Sequence, residues 1–245
     1  MATYLYCICG DGAEPPDGVA GIDGAAVRAL DAATLVAWVS TVADGMLAVT
    51  VDRLKAHDRV CAAALLQGET PVPIRFGQSF ADDAALVRGI TDREATLRER
   101  LERVAGCVEL RIVVTRGRDA EVNDETAFQA VSSVHPPDAS EDEDAPTQDG
   151  PGTSFLRRLA RLGRADLARE VACEEARHAV RTAASAFIVE EQRCEGTRAM
   201  AFFPVLVRRS DVGVFRDMAE TILSSQRFAL SILGPFAPYS FAGDA

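Results

Sequence analysis

Residues 198–208 read RAMAFFPVLVR, and residues 211–222, just beyond them, read DVGVFRDMAETI. The first stretch has the length and the apolar content of a buried strand. The second opens at Asp211, whose carboxylate can cap a helix, and carries apolar residues at helical spacing. These residues are Phe215, Met218, Ala219 and Ile222. The two stretches therefore predict a strand that is followed directly by an amphipathic helix.

The segments before this pair supply another strand and another helix. Cys107–Thr115 alternates between apolar and polar residues in the manner of a strand. A long helix is predicted to begin near Ser154, because alanines recur along it at helical spacing and would allow close packing on a sheet. These alanines are Ala165, Ala168, Ala172, Ala176, Ala179 and Ala183.

Two further segments complete the order of elements. Ser185–Glu191 is predicted to pair with 198–208 as an antiparallel strand, and Phe228–Leu233 is predicted as the last strand. The resulting order is β-α-β-β-α-β, which is the ferredoxin-like arrangement. We therefore predict a ferredoxin-like C-terminal domain at residues 106–245, in which residues 234–245 form an extended tail.

Residues 1–105 predict a smaller α+β domain, which can be read as a degenerate version of the same order. The first and last strands of this part are clear from their apolar content, and two runs around a turn at Ala43-Asp44-Gly45 could pair with each other. Asp52 is the predicted N-cap of a helix that stops at Gly68. The predicted strands are Thr3–Cys9, Leu35–Val39, Met46–Val51 and Val72–Phe76, and the predicted helices are Ala25–Leu30, Asp52–Gly68 and Asp82–Val104.

The acidity of the chain is confined to one segment. The formal net charge is -11, and Asp119–Phe155 contains ten acidic residues and no lysine or arginine. Elsewhere acids and bases nearly balance, so the folded parts offer no basic face for nucleic acid and no polybasic patch for a lipid membrane. The proline-punctuated residues 117–152 are predicted to be a mobile acidic insert that is solvated or contacts arginines on a partner.

The chain shows no signal for a membrane span, a metal or a cofactor. No leader-like apolar core and no transmembrane-length run is present, which predicts a cytoplasmic protein. The six cysteines lack a C-x-x-C pair and are predicted to be reduced core thiols. His57, His135 and His178 lie on separate segments without metal-ligand spacing. No nucleophile or phosphate-binding motif is present, so we predict no catalytic, metal or cofactor site and no enzyme.

Three motifs together resemble the gas vesicle protein F/L family. The first is the aromatic opening strand Tyr4–Ile8, and the second and most specific is Pro71–Phe80, which reads PVPIRFGQSF before a predicted helix. The third is Gly234–Phe241, which reads GPFAPYSF and is similar to a near-terminal family motif. Phe236 and Ala237 stand where that family motif has a tryptophan and a proline. The resemblance extends from Tyr4 to Phe241, except for the acidic insert.

The resemblance implies a non-enzymatic, two-domain α+β protein with a ferredoxin-like second domain. Family members are expected to bind the small hydrophobic gas vesicle shell protein and to support nucleation or early assembly, and some are expected to remain as a minor vesicle component. The implied partners are the shell protein and other gas vesicle accessory proteins, without nucleic acid or a lipid membrane. The implied locations are the cytoplasm and the gas vesicle.

The motif residues are candidates for structural or partner-binding roles. Arg75 can bind a partner carboxylate or tie down the next loop, and Gly77 is predicted to be a backbone hinge. The tail can bury Tyr239 and Phe241 against the second domain or present them to a partner. The candidate residues are Arg75, Phe76, Gly77, Gly234, Pro235, Tyr239, Ser240 and Phe241.

Two other classes of function remain open on the sequence. A histidine on a helix of a ferredoxin-like domain can serve as a haem ligand, so a haem or redox protein that uses His178 is the alternative. Tandem ferredoxin-like domains would also suit a ligand-binding regulatory module with a small polar pocket between them. An absorption spectrum tests the first alternative, and thermal stabilisation by a metabolite tests the second.

Overall fold

The described part of the chain forms two antiparallel sheets with helices packed on them. The computed structural model describes residues 1–43, 47–115, 170–196, 201–223 and 229–243. One sheet is built from the N-terminal half and the other from the C-terminal half. The predicted α+β class is confirmed. The predicted acidic insert at 117–152 lies outside the described residues.

The first sheet is centred on its first strand. Its strands are β1 (Ala2–Cys9), β2 (Arg28–Ala32), β3 (Leu35–Val42), β4 (Val72–Pro73) and β5 (Ser79–Phe80). Their order is β2-β3-β1-β4, and β5 pairs with the other end of β1. Every residue of β1 is buried, because hydrophobic cores lie on both faces of the sheet. A bulge after Leu5 places Tyr4, Tyr6 and Cys7 in one core and Leu5 and Ile8 in the other.

Three helices cover this sheet: α1 (Val51–Leu66), α2 (Asp83–Thr91) and α3 (Glu94–Val104). Thr50, rather than the predicted Asp52, caps α1, because its side chain accepts a hydrogen bond from the Arg53 N–H at 3.3 Å. The single long helix predicted at Asp82–Val104 is interrupted between α2 and α3. At this break, side chains of Thr91 and Arg93 donate to backbone carbonyls of the preceding turn.

Two other predictions for the first half are wrong. The residues predicted as a short helix at Ala25–Leu30 lead into β2, which pairs with β3 from Arg28 to Ala32. Leu35–Val39 is a strand as predicted, but it pairs with β1 and β2, and α1 begins where a strand was predicted at Met46–Val51. Whether a short apolar run of this kind becomes a strand or a helix depends on the strands with which it can pair. The local sequence pattern does not contain this information. The order β-β-β-α-β-β-α-α does not repeat that of the second half.

The second sheet has the predicted split β-α-β topology. Its strands are β6 (Cys107–Thr115), β7 (Ile188–Glu191), β8 (Glu195–Gly196), β9 (Ala201–Arg208) and β10 (Ala229–Phe236), and its helices are α4, at 170–184, and α5 (Val212–Leu223). The strand order is β10-β6-β9-β7, so β9 lies between the two strands on either side of α4. Residues of α4 and α5 share one core with the same face of β6 and β9. The sequence pattern around residues 198–222 therefore predicted the local topology correctly.

The small-residue face of α4 is rotated from the predicted one. Ala172 and Ala176 are buried as predicted, but Ala183 is exposed, and the buried face continues through Val180 and Ala184. The predicted Ala165 and Ala168 lie outside the described residues. Small side chains on this face allow the helix to pack closely on β6 and β9.

The prediction that all six cysteines are reduced is wrong for one pair. Cys173 of α4 and Cys194, between β7 and β8, form a disulfide across Cα atoms 6.1 Å apart. The fold brings the two together over a sequence separation of 21 residues, which no short cysteine motif would indicate. Cys7, Cys9, Cys61 and Cys107 are free and buried, as predicted.

The C-terminal tail crosses from the second sheet to the first. Ala237 and Tyr239 pack in the core between β1 and α1, and Phe241 and Ala242 pack in the core of α2 and α3. The tail is therefore a strap, as predicted, but it packs at the junction of the two halves rather than against the second half alone. The predicted boundary at residues 105 and 106 falls between α3 and β6. Independent folding of the two halves stays a prediction.

Candidate functional site at the junction of the two sheets

His57 lies at the centre of a buried hydrogen-bond network at this junction. The residue sits on α1 and is 3% exposed. Its Nε2 atom lies 2.8 Å from the Ile74 carbonyl oxygen, and its Nδ1 atom lies 2.8 Å from the Tyr4 hydroxyl. Because a carbonyl can only accept, Nε2 carries a proton, and Nδ1 shares the second hydrogen bond with the Tyr4 hydroxyl. These two hydrogen bonds hold the buried imidazole ring in one orientation.

The Tyr4 hydroxyl joins His57 to the Pro71–Phe80 motif. It accepts a hydrogen bond from the Gly77 backbone N–H at 3.1 Å. Gly77 has φ +96°, in the region that favours glycine, so its place in the turn between β4 and β5 depends on residue type. Burial raises the pKa of Tyr4, and the bond from Gly77 opposes part of that rise. Tyr4 is therefore a protonated donor at neutral pH.

Aromatic rings from both ends of the chain surround His57. The imidazole centroid lies 6.0 Å from the ring of Phe76 and 6.4 Å from the ring of Tyr239. Tyr4 and Tyr6 meet edge to face with centroids 4.9 Å apart. Phe76 belongs to the Pro71–Phe80 motif and Tyr239 to the tail motif. The structure therefore brings two motifs that are distant in sequence to one residue.

Glu109 on β6 holds the tail from the side of the second sheet. The carboxylate is fully buried, and its Oε2 accepts from the Ser240 backbone N–H at 2.8 Å. Its Oε1 accepts from the Ser240 hydroxyl at 3.0 Å and from the Arg111 Nε at 2.7 Å. The Arg111 guanidinium also lies over the ring of Phe236, 5.2 Å from its centroid. A paired and hydrogen-bonded buried charge of this kind fixes the tail in one position.

The hydroxyl of Tyr239 has a different environment. It is buried and forms no well-aligned hydrogen bond among the described residues, but it lies within polar contact of the Asp58 carboxyl and the Cys61 thiol of α1. Burial raises the pKa of Tyr239, and these two neighbours add to the rise. Burial also raises the pKa of Asp58, with His57 and Arg111 opposing. Tyr239 therefore packs its ring near His57 while its hydroxyl faces Asp58 and Cys61.

The candidate motif residues fall into two groups. Phe76, Gly77, Tyr239, Ser240 and Phe241 are in or beside the junction. Gly234 and Pro235 lie in β10, joined by a cis peptide bond, and a Cβ on Gly234 would come 2.8 Å from the Glu109 main-chain oxygen.

Arg75 is the charged member of the candidate set, and it is exposed, as are Gly77 and Pro235. It lies in the turn between β4 and β5, directly before Phe76, whose ring packs on the core beneath it. The residue is therefore exposed on a turn that is anchored on its inner side. The structure thus gathers most of the candidates into one junction and leaves Arg75 on the surface.

Among the residues that the structure describes, His178 does not have the surroundings of a haem ligand. It is exposed on α4, on a shallow surface of about 570 Å³ that Glu174 and Glu175 also line. A haem ligand requires an enclosed and largely apolar pocket, and two carboxylates oppose it here.

A polar groove lies elsewhere, within the first half rather than between the halves. It has a volume of about 640 Å³ and runs between the 20–24 loop and the first turns of α1. Asp23 and Arg53 form an ion pair along it at 2.8 Å. This groove therefore does not match the small polar pocket between the two domains that a regulatory module would require.

Two classes of feature are missing from the part of the chain that the structure describes. No group of three or more histidine, cysteine, aspartate or glutamate side chains there could hold a metal ion. Among the same residues, no helix combines the length and the hydrophobicity that a membrane span requires.

Comparison with known protein families decides the class of the protein. A family model described as gas vesicle synthesis protein GvpL/GvpF matches residues 2–243. The chain belongs to the GvpL/GvpF family. The match includes both sheets and the tail, and it confirms the resemblance that the three motifs indicated. GvpL/GvpF proteins are a gas vesicle family rather than a known family of enzymes.

Individual relatives agree with this assignment. The chain is 26% identical to gas vesicle protein L2 of Halobacterium salinarum, across 98% of this chain and 91% of that protein. Its fold is similar to the crystal structure of GvpF from Anabaena sp. PCC7120, with a TM-score of 0.69, 20% identity and coverage of 100% and 97% of the two chains. GvpF from Microcystis aeruginosa gives a TM-score of 0.69 at 19% identity, with 98% of each chain covered.

Sequence reasoning identified the GvpL/GvpF motifs but not the residue on which they converge. The sequence predicted no metal or catalytic role for His57, and the structure places it in the core. The available signal was its position on α1 beside the apolar Val60, Cys61 and Ala64, which are all buried. The role of Glu109 could not be predicted from the sequence, because it depends on where the tail packs. Its partner Ser240 is 131 residues away along the chain.

Proposed function

We propose that this chain is a non-enzymatic accessory protein that binds the small hydrophobic gas vesicle shell protein and supports nucleation and assembly of the vesicle. The observation that carries the proposal is the GvpL/GvpF family match over residues 2–243. Under this proposal the protein acts in the cytoplasm and at the growing vesicle, can remain there as a minor component, and also contacts other accessory proteins.

The physical need for such a partner follows from the shell subunit. A protein that repels water on one face exposes a large apolar surface before assembly, and surfaces of that kind associate without specificity. A soluble partner that covers this face reversibly keeps the subunit available for assembly.

The surface of this chain contains features that suit a reversible contact. Arg75 is exposed on the anchored turn between β4 and β5, and arginine is enriched among the residues that dominate interface energies. The rigid junction beneath the turn means that little conformational entropy would be lost when a partner binds. We propose Arg75 as a contact residue and the buried motif residues as its support.

Co-expression with affinity capture tests the proposal. The tagged chain is produced together with the gas vesicle shell protein, and the shell protein is quantified in the captured fraction. A folded but unrelated acidic protein with the same tag is the control, because it measures non-specific binding to charge. Specific capture supports the proposal. No capture by the folded chain would contradict shell-protein binding and leave only contacts with other accessory proteins.

A further inference from the structure

The outer edge of β10 is the longest free strand edge of the second sheet within the described residues. β10 has eight residues and, among the described parts of the chain, pairs with β6 alone, whereas β7, at the opposite end of the sheet, has four. An unpaired strand edge of this length presents backbone donors and acceptors to which another strand can bind. Folded proteins usually close such edges, so the means of closure is informative.

The direction of the backbone groups in β10 can be derived from its register with β6. The main-chain oxygen of Glu109 points towards Gly234, because a Cβ placed on Gly234 would lie 2.8 Å from it. Since groups alternate along a strand, Arg111 and Val113 also direct their backbone groups towards β10. Leu233 lies opposite Arg111, and Ser231 lies opposite Val113. The carbonyl group of Ile232 therefore points to the outer edge. Gly234 lies in the register shift between Leu233 and Phe236, and its carbonyl is on the same side because one guanidinium reaches both oxygens.

Both of these outward carbonyls are occupied by one side chain. Arg216 of α5 donates from Nη1 to the Ile232 oxygen at 3.0 Å and from Nη2 to the Gly234 oxygen at 2.6 Å. The forked guanidinium matches two acceptors that are two residues apart on one side of a strand. A strand that added to this edge would need these acceptors for its own N–H groups.

We propose that Arg216 closes the β10 edge and prevents a second copy of this chain from pairing with it. Two copies of one edge strand can pair antiparallel about a two-fold axis, so β10 itself is the partner that fits this edge. With Arg216 in place, such pairing would require the loss of two charge-assisted hydrogen bonds and the burial of a cation beside the new strand. This role does not depend on shell-protein binding.

Substitution of Arg216 and Arg209 tests the proposal with a matched pair. Arg216→Met keeps an apolar stem for packing and removes both donors. Arg209 provides the control, because its guanidinium also donates to two backbone carbonyls, those of Leu65 at 2.7 Å and Glu69 at 2.8 Å, but at the end of α1 rather than at a sheet edge. Arg209→Met therefore loses the same number of hydrogen bonds without freeing a strand.

The measurement is molar mass by light scattering over a range of protein concentrations. We expect Arg216→Met to show a concentration-dependent rise of about two-fold or more over the wild-type mass, with amide protons of 229–236 gaining protection from exchange. Arg216→Lys retains a cation and a donor at the edge, so it should associate less than Arg216→Met. A wild-type mass for folded Arg216→Met would overturn the proposal, as would equal association of Arg209→Met.

If Arg216→Met is not folded in isolation, the same mass measurement on Arg216→Lys and Arg216→Gln decides the question. Lysine and glutamine can each satisfy one of the two carbonyls, so both variants should remain folded and associate more than the wild-type chain. Wild-type mass for both variants would contradict the edge-closing role.

Discussion

Two buried tyrosines at the junction contribute to stability in different ways. The Tyr4 hydroxyl has two hydrogen-bond partners of good geometry, Gly77 and His57, whereas the Tyr239 hydroxyl makes no well-aligned hydrogen bond among the described residues and only lies close to Asp58 and Cys61. Removal of a hydroxyl that satisfies buried groups leaves them unpaired, which costs about 1–3 kcal/mol. Removal of an unsatisfied hydroxyl has no such cost.

We therefore predict opposite outcomes for the same chemical change at these two positions. Tyr4→Phe should lower the free energy of unfolding by about 1–3 kcal/mol, and Tyr239→Phe should change it by less than about 0.5 kcal/mol or raise it. Urea unfolding followed by circular dichroism measures both. Equal destabilisation by the two variants would show that the Tyr239 hydroxyl has a partner in solution.

The buried Glu109 should contribute more than a surface carboxylate does. Glu109→Gln removes the charge that Arg111 and Ser240 share and leaves Arg111, whose side chain is 16% exposed, without its counter-ion. We expect a loss of about 2 kcal/mol or more, since breaking a buried pair typically costs about 3–5 kcal/mol and glutamine retains some hydrogen bonding. Urea unfolding is again the measurement.

Glu190→Gln is the control for this prediction. Glu190 also pairs with an arginine from a neighbouring element, Arg103, but the side chains are 27% and 48% exposed. Solvent screens such pairs, so the expected cost is below about 1 kcal/mol. A larger effect at Glu190 than at Glu109 would contradict the assignment of Glu109 as the residue that holds the tail.

At the scale of elements, one carboxylate joins a helix to two strands of the first sheet. Asp83 at the start of α2 accepts hydrogen bonds from Arg28 of β2 and Thr3 of β1, each at 2.7 Å. The bond from Arg28, followed by that from Thr3, lowers the pKa of Asp83. Because the folded-state pKa is depressed, the stabilisation is present above the unfolded pKa and is lost as the pH falls through the folded value.

Asp83→Asn should consequently have a pH-dependent effect. Near pH 7 we expect a loss of up to about 1 kcal/mol, a small value because the pair is well exposed. The difference from wild type should shrink as the pH falls below about 4, where the carboxylate becomes protonated. Unfolding curves near pH 7 and below about pH 4 test this. The control is Asp31→Asn, at an exposed position of β2. A difference that stays constant with pH would contradict the ion-pair account.

The tail is the element on which the junction most depends. Deletion of residues 239–245 removes Tyr239 and Phe241 from two cores and takes Ser240 from Glu109. The loss should be about 3–5 kcal/mol or more, comparable with the truncation of one buried phenylalanine. A melting temperature lower by at least about 6 °C should follow.

The control for this deletion is removal of residues 244–245 alone, which should leave the melting temperature unchanged. Thermal unfolding followed by fluorescence measures both truncations. An equal melting temperature for the wild-type chain and the longer deletion would show that the tail does not stabilise the junction in solution.

The sequence predicted elements well where one local pattern dominates. The β6, β9 and α5 segments carry long apolar patterns, and each was found where predicted. The sequence did not predict β2, because a segment of five residues is too short for the apolar pattern to distinguish a strand from a helix. The convergence of Phe76 and Tyr239 on His57 and the Cys173–Cys194 bond depend on long-range packing, which no local pattern contains.

At the scale of the whole molecule, the residues of the GvpL/GvpF motifs divide into those that pack at the junction and those that lie on the surface. The buried members pack at the junction of the two halves, and Arg75 is exposed on the turn above it. We predict that Arg75→Ala lowers capture of the shell protein several-fold while the melting temperature stays within about 2 °C of wild type. Arg88→Ala, which removes an exposed arginine of α2, should leave capture unchanged.

Sedimentation of the shell protein tests the proposed role most directly. The gas vesicle shell protein is produced with this chain or with the unrelated acidic control, and its amount in the supernatant is measured after centrifugation. The proposed role predicts more soluble shell protein with this chain, in a complex that carries both proteins. An unchanged soluble amount, together with folded chain that elutes alone, would contradict binding of the shell protein as the function of this GvpL/GvpF protein.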